Sequence, residues 1–545
     1  MDKAAEMAAE GLTCDTLVLG SGSAGLAAAL AAAASGLDTI IAEKTEWIGG
    51  TTALSGAGTW IPANHHAARA GIADSRAEAL DYILAAAPAD WRADEERRWR
   101  RFAQAAPDML AFVEANSPLR FDLVDQGDPL ADLPGAKPFG RMLTPRPLRP
   151  AILGPLARRI RPPMLGRIFT YQEILGTDLY HRPFAVGARL LPHVAWRWLT
   201  GRRAKGTALV AGLLRGCLDH GARLLLETPA LSLLRDEATG RVTGALLRHR
   251  GRDIAVHARR GVVIATGGFE WDAERRNRHF PGPMDFVTSP PGNNGDGHRM
   301  AEAAGATLAR MDQANLNPAV PKIYEGQLQG MALFFHRAAN AIVVDRNARR
   351  FFDESIFNFG EVIDARDPAT GLPRHLPAWL IADAAFLRWS PLLRWHRRYR
   401  KDWLVEAGDL ATLAGRIGLP PAALAETVAR YNRFCAAGLD RDFGRKAVSG
   451  NGRHQSGLGP IARPPFVAIP FNRSFVSTKG GPLTDENGRV LRADGSIIAG
   501  LYCAGVAMAN PFGTRGIGAG TTIGPNMTWG HVCGLDMAGL LPPLD

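Results

Sequence analysis

Cysteine is scarce: five residues in 545 (Cys14, Cys217, Cys435, Cys503 and Cys533), an odd number with no CxxC spacing. That argues against a disulfide frame and a zinc cluster, and it predicts a reducing compartment. No uncharged apolar run reaches about 18 residues, so a membrane-spanning helix is not expected. The opening MDKAAEMAAEGLTCD carries acids and lacks an apolar core, so we expect no secretory signal there. Internal repeats are absent, and the only biased stretch is the run of alanines near residue 30. With 46% apolar and 21% charged residues the chain is of folded type, and its length implies two or three domains.

Charge is present but unevenly placed. Of the net +11, segment 146–205 carries +10 and segment 388–403 carries +5, leaving −4 for the rest. Basicity therefore belongs to two segments. Both mix arginines with apolar and aromatic residues: Ile152, Leu153, Met164, Leu165, Phe169, Phe184, Leu190, Leu191, Trp196 and Trp198 in the first, Trp389, Leu392, Leu393, Trp395, Tyr399 and Trp403 in the second. That mixture fits a lipid headgroup layer better than nucleic acid, for which no reading module is seen.

The rest of the chain is organised around 15–43, DTLVLGSGSAGLAAALAAAASGLDTIIAE. An apolar strand, Leu17-Val18-Leu19, leads into Gly20-Ser-Gly22-Ser23-Ala24-Gly25, then a helix, then the strand Thr39–Ala42, which ends on Glu43. The glycines allow a tight turn, approach to a pyrophosphate and close helix packing, while Glu43 takes ribose hydroxyls. Residues 44–58, KTEWIGGTTALSGAG, form a second Gly/Thr/Ser-rich loop. An NAD site does not need one, whereas the ribityl chain and ring of FAD do. No histidine lies between Gly49 and Gly58, so the flavin is expected to be held noncovalently.

Further along, Trp60-Ile61-Pro62 and 75–116 read as helical, 128–149 as a Pro/Gly-rich loop and 202–219 as an amphipathic helix. A strand at 222–227, a strand pair across 241–257 around Gly251 and a buried strand at 261–268 follow. Residues 475–494 read as a hairpin, 500–507 as a last strand, 513–520 as a glycine-rich loop and 521–541 as a closing helix. The expected fold is α/β. A Rossmann-like FAD-binding domain occupies 1–282 and 462–545, with the basic excursion 146–205, and an α+β substrate domain is inserted at 283–461.

Several motifs together resemble the flavoproteins of the fumarate reductase/3-ketosteroid Δ1-dehydrogenase group, the steroid branch in particular. They are GSGSAG, EKTEWIGGTTALSGAGTWIP, GVVIATGGFEW, SPPGNNGDGHRMAEAAGA, RRFFDES, GGPLTDENGRVLRADGSIIAGLYCAGVA and GAGTTIGPNMTWG. The resemblance implies α,β-dehydrogenation of a bulky, apolar cyclic ketone at the interface of the two domains, with hydride passing to flavin N5. It also implies a separate electron acceptor. The flavin would be lined by Gly20, Gly22, Ser23, Ala24, Gly25, Glu43, Lys44, Gly50, Thr51, Thr52, Ser55, Gly56, Ala57 and Gly58. Later in the chain it would meet Ala230, Ala265, Thr266, Gly267, Asn294, Asp296, Gly505, Gly520, Thr522 and Ile523.

The family's catalytic tyrosines are not kept. Asn358 stands where one follows RRFFDES, Gly516 stands where the enolising one is expected, and Leu130 replaces an aromatic residue. Gly520 retains the backbone amide. Arg515, beside Gly516, is expected to replace the lost side chain by polarising a carbonyl or holding a carboxylate. Tyr324, Tyr171 and His336 are further candidate bases. The fumarate-reducing branch places an arginine at what is here Ile517, and an ene-reductase acting on an unsaturated acid or ketone is the alternative activity. A flavin-holding lipid-binding protein without turnover is a third reading. The expected site of action is the cytoplasm, with an anionic cytoplasmic-membrane surface as a peripheral partner and no nucleic acid.

Overall fold

The computed structural model describes residues 11–164, 166, 168–177, 183–445 and 457–544. Arg167, Arg182 and Leu165 of the first basic segment lie outside the described residues.

The main sheet runs Arg489–Leu491, Ile497–Cys503, Arg252–Ile264, Leu12–Leu19, Thr39–Ala42, Arg223–Leu225. Its four central pairings are parallel, with Leu17 beside Ile40 on one side and Val262 on the other. Leu17, Val18, Ile41, Val262 and Val263 are wholly buried, as both-face burial of a parallel sheet requires. Val242–His249 and Ala230–Arg235 add antiparallel strands. Helix Ser23–Ala34 packs on this sheet and against the closing helix Ile523–Ala538. Their backbones approach so closely that a Cβ on Gly534 would lie 2.6 Å from the Ala28 carbonyl oxygen. The alanine run is therefore a packing surface, where larger side chains would force the helices apart.

A second body carries the antiparallel sheet Ala341–Val344, Trp379–Ala382, Phe466–Pro470, Val405–Ala407. One face covers a phenylalanine-rich core that includes Phe335, Phe352, Phe359 and Phe471, and helices Leu410–Ile417 and Pro421–Ala437 cover the other. Strand Arg473–Thr478 pairs with Met284–Val287 and Ala314–Leu316. Because 466–478 thus contributes to the second body's sheets, we propose that the chain re-enters the first domain after Thr478, rather than at 462.

Other local expectations also change. Trp60 is not helical: Thr59–Trp60 pairs with Met142–Pro145, a strand inside the segment read as a loop. The predicted 475–494 hairpin lies further along the chain: Arg489–Leu491 turns back onto Ile497–Cys503, and within 475–494 there is only the single bridge Thr484–Val490. The 44–58 loop contains a short helix, Gly50–Leu54, entered through Gly49 at φ +103°. Among the described residues no helix is long and apolar enough to cross a membrane.

Candidate active site

At the C-terminal end of strand Leu12–Leu19 the chain turns through Gly20 at φ +108°, against the Ala265 carbonyl, where any side chain would collide. Gly22 opens helix Ser23–Ala34. Glu43 is buried at the end of the neighbouring strand, and its carboxylate gathers four donors. Oε2 accepts from Ser21 N–H (3.2 Å) and Ser21 Oγ–H (2.6 Å), and Oε1 from Thr45 N–H (3.0 Å) and Thr45 Oγ–H (3.0 Å). Thr52 Oγ1 accepts from the Ser23 N–H at 3.0 Å, tying the second loop to the first helix. Ser55 bonds the Thr52 carbonyl at 2.7 Å and fixes the Ala57 N–H at 3.0 Å.

The opposite wall is built from 265–297. Asn293 donates to Thr51 Oγ1 (3.1 Å) and to Glu270 (2.6 Å), and Glu270 also accepts from Ser289 Oγ–H and the Thr478 N–H. Burial raises the Glu270 carboxyl above its ordinary range, and the hydrogen bonds to Ser289, Asn293 and Thr478 oppose that shift. Sequence reasoning missed Glu270 and Asn293. Their signals were the acid in GGFEW and the first asparagine of GNNGDG. Asn294, the neighbour chosen instead, contributes its carbonyl to Arg299 (2.7 Å). Lys44 pairs with Asp296 at 2.5 Å. Asp296 and Ala230 line one cavity of about 260 Å³ with Ser232 and Met300.

Gly505 lies against Ala24 and Asn526. Thr266 Oγ1 and Asn526 Oδ1, both buried, have no protein partner. Unsatisfied buried polar atoms beside glycine turns are what a bound polar dinucleotide would complete, so the residues fit such a group.

At the far end, Thr59–Trp60 runs against Gly520–Gly524. The Trp60 N–H donates to the Gly520 carbonyl at 3.3 Å, and a Cβ on Gly520 would stand 2.7 Å from Trp60 N. Thr522 and Ile523 begin the closing helix here. The Trp60 ring stacks on Phe102, and Phe102 on Trp529. Asp128 accepts from the Trp60 indole N–H at 2.8 Å and pairs with the buried Arg141, which also holds Asp74.

The catalytic candidates are placed as follows. Arg515 turns its guanidinium to Glu361 (2.9 Å) and the Ala86 carbonyl (3.3 Å), in a half-exposed ion pair. Asn358 is spent on backbone. Its amide donates to the Thr514 and Arg515 carbonyls, and its oxygen accepts from the Gly360 N–H at 2.8 Å. Arg337 holds the preceding carbonyls of Ile356 and Phe357, both at 2.9 Å. Gly516 has φ +56°, which a tyrosine would adopt only at a cost of about 1–2 kcal/mol. Ile517 is buried, and its carbonyl accepts from the Tyr82 hydroxyl at 2.7 Å. Leu130 is partly exposed.

The FAD binding domain family matches residues 15–523. The chain belongs to this family. The cofactor is therefore FAD, and the protein is an FAD-dependent dehydrogenase. Among relatives of this flavoprotein, 4-oxocyclohexanecarboxylate 2-dehydrogenase of Sinomonas cyclohexanicum is 35% identical, over 97% of this chain and 93% of its own. The 3-oxosteroid 1-dehydrogenase of Mycobacterium tuberculosis (strain ATCC 25618 / H37Rv) is 32% identical, over 96% and 98%. The 3-ketosteroid delta1-dehydrogenase from Sterolibacterium denitrificans, solved in complex with 1,4-androstadiene-3,17-dione, superimposes with a TM-score of 0.85 at 31% identity, covering 97% of this chain and 99% of that one.

Proposed function

We propose that the protein removes two hydrogens from adjacent carbons of an apolar ring ketone, leaving the α,β-unsaturated ketone. The observation that carries this reading is the glycine-rich loop. Its one arginine, Arg515, is engaged by Glu361, so the loop offers backbone N–H groups at Gly520 rather than a cation. Neutral donors suit a carbonyl oxygen, and the negative charge that grows on it as the acidified α-proton passes to water. FAD, when bound, supplies the acceptor for the hydride from the β-carbon. The chain's own part is to place the ketone oxygen at Gly520. Anaerobic mixing with 3-oxosteroids, cyclohexanone, 4-oxocyclohexanecarboxylate and unsaturated acids tests this. Bleaching of the flavin by a ring ketone is expected. A flavin that stays oxidised with every ketone, and that once reduced is reoxidised by unsaturated acids, would overturn it.

We also propose peripheral attachment to an anionic membrane. Support comes from helix Pro183–Leu199, where Phe184, Leu191 and Trp198 recur every seventh residue at 91%, 61% and 65% exposure. Val186, Leu190 and Arg197 form its buried side. In the second basic segment Trp395 and Leu392 are open, with Arg398 over the Trp395 ring. Parts of the expectation do not carry over. Leu153, Leu190, Leu393 and Trp403 are buried, as are the cations Arg161, Arg197 and Lys205, and burial pushes the Lys205 ammonium down to about 8. Hairpin Ala319–Tyr324/Gln327–Ala332 links the two segments: Glu325 pairs with Arg161, and Lys322 sits over Trp395. Salt-sensitive co-sedimentation with anionic liposomes is expected, and no binding at low salt would refute it.

A further inference from the structure

Neither position at which the family keeps a tyrosine offers a free donor here, because Asn358 is bonded to backbone and Gly516 has no side chain. Of the three other groups the sequence offers, Tyr324 spends its hydroxyl on the Pro162 carbonyl at 2.5 Å. His336 is sealed among Phe334, Phe359 and Phe471. Tyr171 is placed differently. Its Cδ2 lies 2.6 Å from where a Cβ on Gly56 would stand, and its Cε1 and Cζ lie 3.2 and 3.4 Å from where one on Gly58 would stand. The ring thus runs along the flavin loop with its hydroxyl end at Gly58. The Gly58 carbonyl group is in turn 2.9 Å from the Cβ position of Gly520. The phenol and the Gly520 turn share one neighbour, and Tyr171 is half-buried.

We propose that the Tyr171 hydroxyl and the Gly520 N–H together bind the ketone oxygen, the phenol donating in place of the tyrosine missing from the glycine-rich loop. This rests on the ring-ketone reading above. A donor must keep its proton, and burial pushes the Tyr171 phenol up to about 12, against the opposing pull of the Arg337 cation. The backbone that carries the ring is pinned. Tyr171 opens helix Tyr171–Gly176, and Thr170 Oγ1 accepts from the Glu173 N–H (3.1 Å) while Glu173 accepts from the Thr170 N–H (2.9 Å). Arg197, from helix Pro183–Leu199, grips both Glu173 oxygens at 2.7 Å. Glu173 and Arg197 are therefore positioning residues, and they connect the exposed apolar helix to the phenol.

The test uses FAD-loaded protein and a cyclohexanone dimethylated at both β-carbons. This probe has no hydride to give but can still exchange its α-hydrogens. Exchange in D2O is followed by NMR, and the carbonyl stretch of the bound probe by difference infrared spectroscopy. Tyr171→Phe is expected to slow exchange about 10²–10³-fold, as loss of one oxyanion donor does. The carbonyl band should move back toward that of the free ketone, with flavin content and FAD affinity unchanged. Glu173→Gln should give an intermediate rate and band, and Arg197→Lys should retain more of both than Arg197→Ala. Wild-type exchange and an unshifted band in Tyr171→Phe would overturn the Tyr171 role while leaving the ring-ketone reading in place. Failure of the wild-type protein itself, both with the probe and in the bleaching screen, would overturn both.

Discussion

Replacing Glu43 tests the cofactor site most directly. The buried carboxylate holds Ser21 and Thr45 through four hydrogen bonds, two of them from main-chain N–H groups. Glu43→Gln keeps the volume but turns one acceptor into an NH2 group, which must face a donor at Ser21 or Thr45. It also removes the charge that strengthens hydrogen bonds from the ribose hydroxyls. Losing such charge-assisted bonds costs about 1.5–3 kcal/mol, equivalent to an FAD dissociation constant weaker by roughly 10- to 150-fold. Glu43→Ala should weaken binding at least as much and also destabilise the apoprotein, because the Ser21 and Thr45 N–H groups lose their acceptor. The assay is flavin-fluorescence titration of deflavinated protein, with the apoprotein melting temperature as a control. Unchanged FAD affinity in Glu43→Gln, with normal melting, would refute the role given to this carboxylate.

Arg515→Ala should change turnover less than about tenfold, since a half-exposed ion pair with Glu361 is worth about 1 kcal/mol or less; a large loss in steady-state rates would return Arg515 to the substrate. Arg141→Ala leaves Asp74 and Asp128 buried without their cation, and chemical denaturation should show a loss of about 3–5 kcal/mol together with reduced flavin content. Burial holds His298 and His531 down at about 4, so below pH 6.5 the unfolded chain takes up protons that the native state refuses. The contribution of these two histidines to stability should be constant above pH 6.5, fall between 6.5 and 4 by on the order of 2 kcal/mol per histidine at pH 5, and level below 4. Melting temperatures at pH 7 and pH 5 measure this, and His531→Phe should make the difference smaller. Acid precipitation should release all of the FAD into the supernatant, and a yellow pellet would show a covalent bond.

Much of the nucleotide fold was legible because its causes are local. A buried strand, the Gly20–Gly25 turn, a small-residue helix and an acid at the next strand end must lie near one another in sequence to bind one pyrophosphate and one ribose. Periodicity likewise marks 75–116, 202–219 and 521–541 as helical, where the structure has helices 76–86, 92–116, 205–219 and 523–538; the break at 87–91 is not visible in it. Other features depended on partners far along the chain. Trp60 is a strand residue because Met142 lies beside it, and Phe466–Pro470 belongs to the second body because Trp379–Ala382 pairs with it. The pairing of Arg515 with Glu361, 154 residues earlier in the chain, is made only by folding. Spacing set Tyr171 level with Tyr324 and His336 as a candidate base, and only folding laid its ring along Gly56 and Gly58. Residue type and spacing determine which backbone turns and helices can form. Which way a charged or phenolic side chain finally points is decided by the neighbours that tertiary packing supplies, because direct hydrogen bonds and ring contacts act only over a few ångströms.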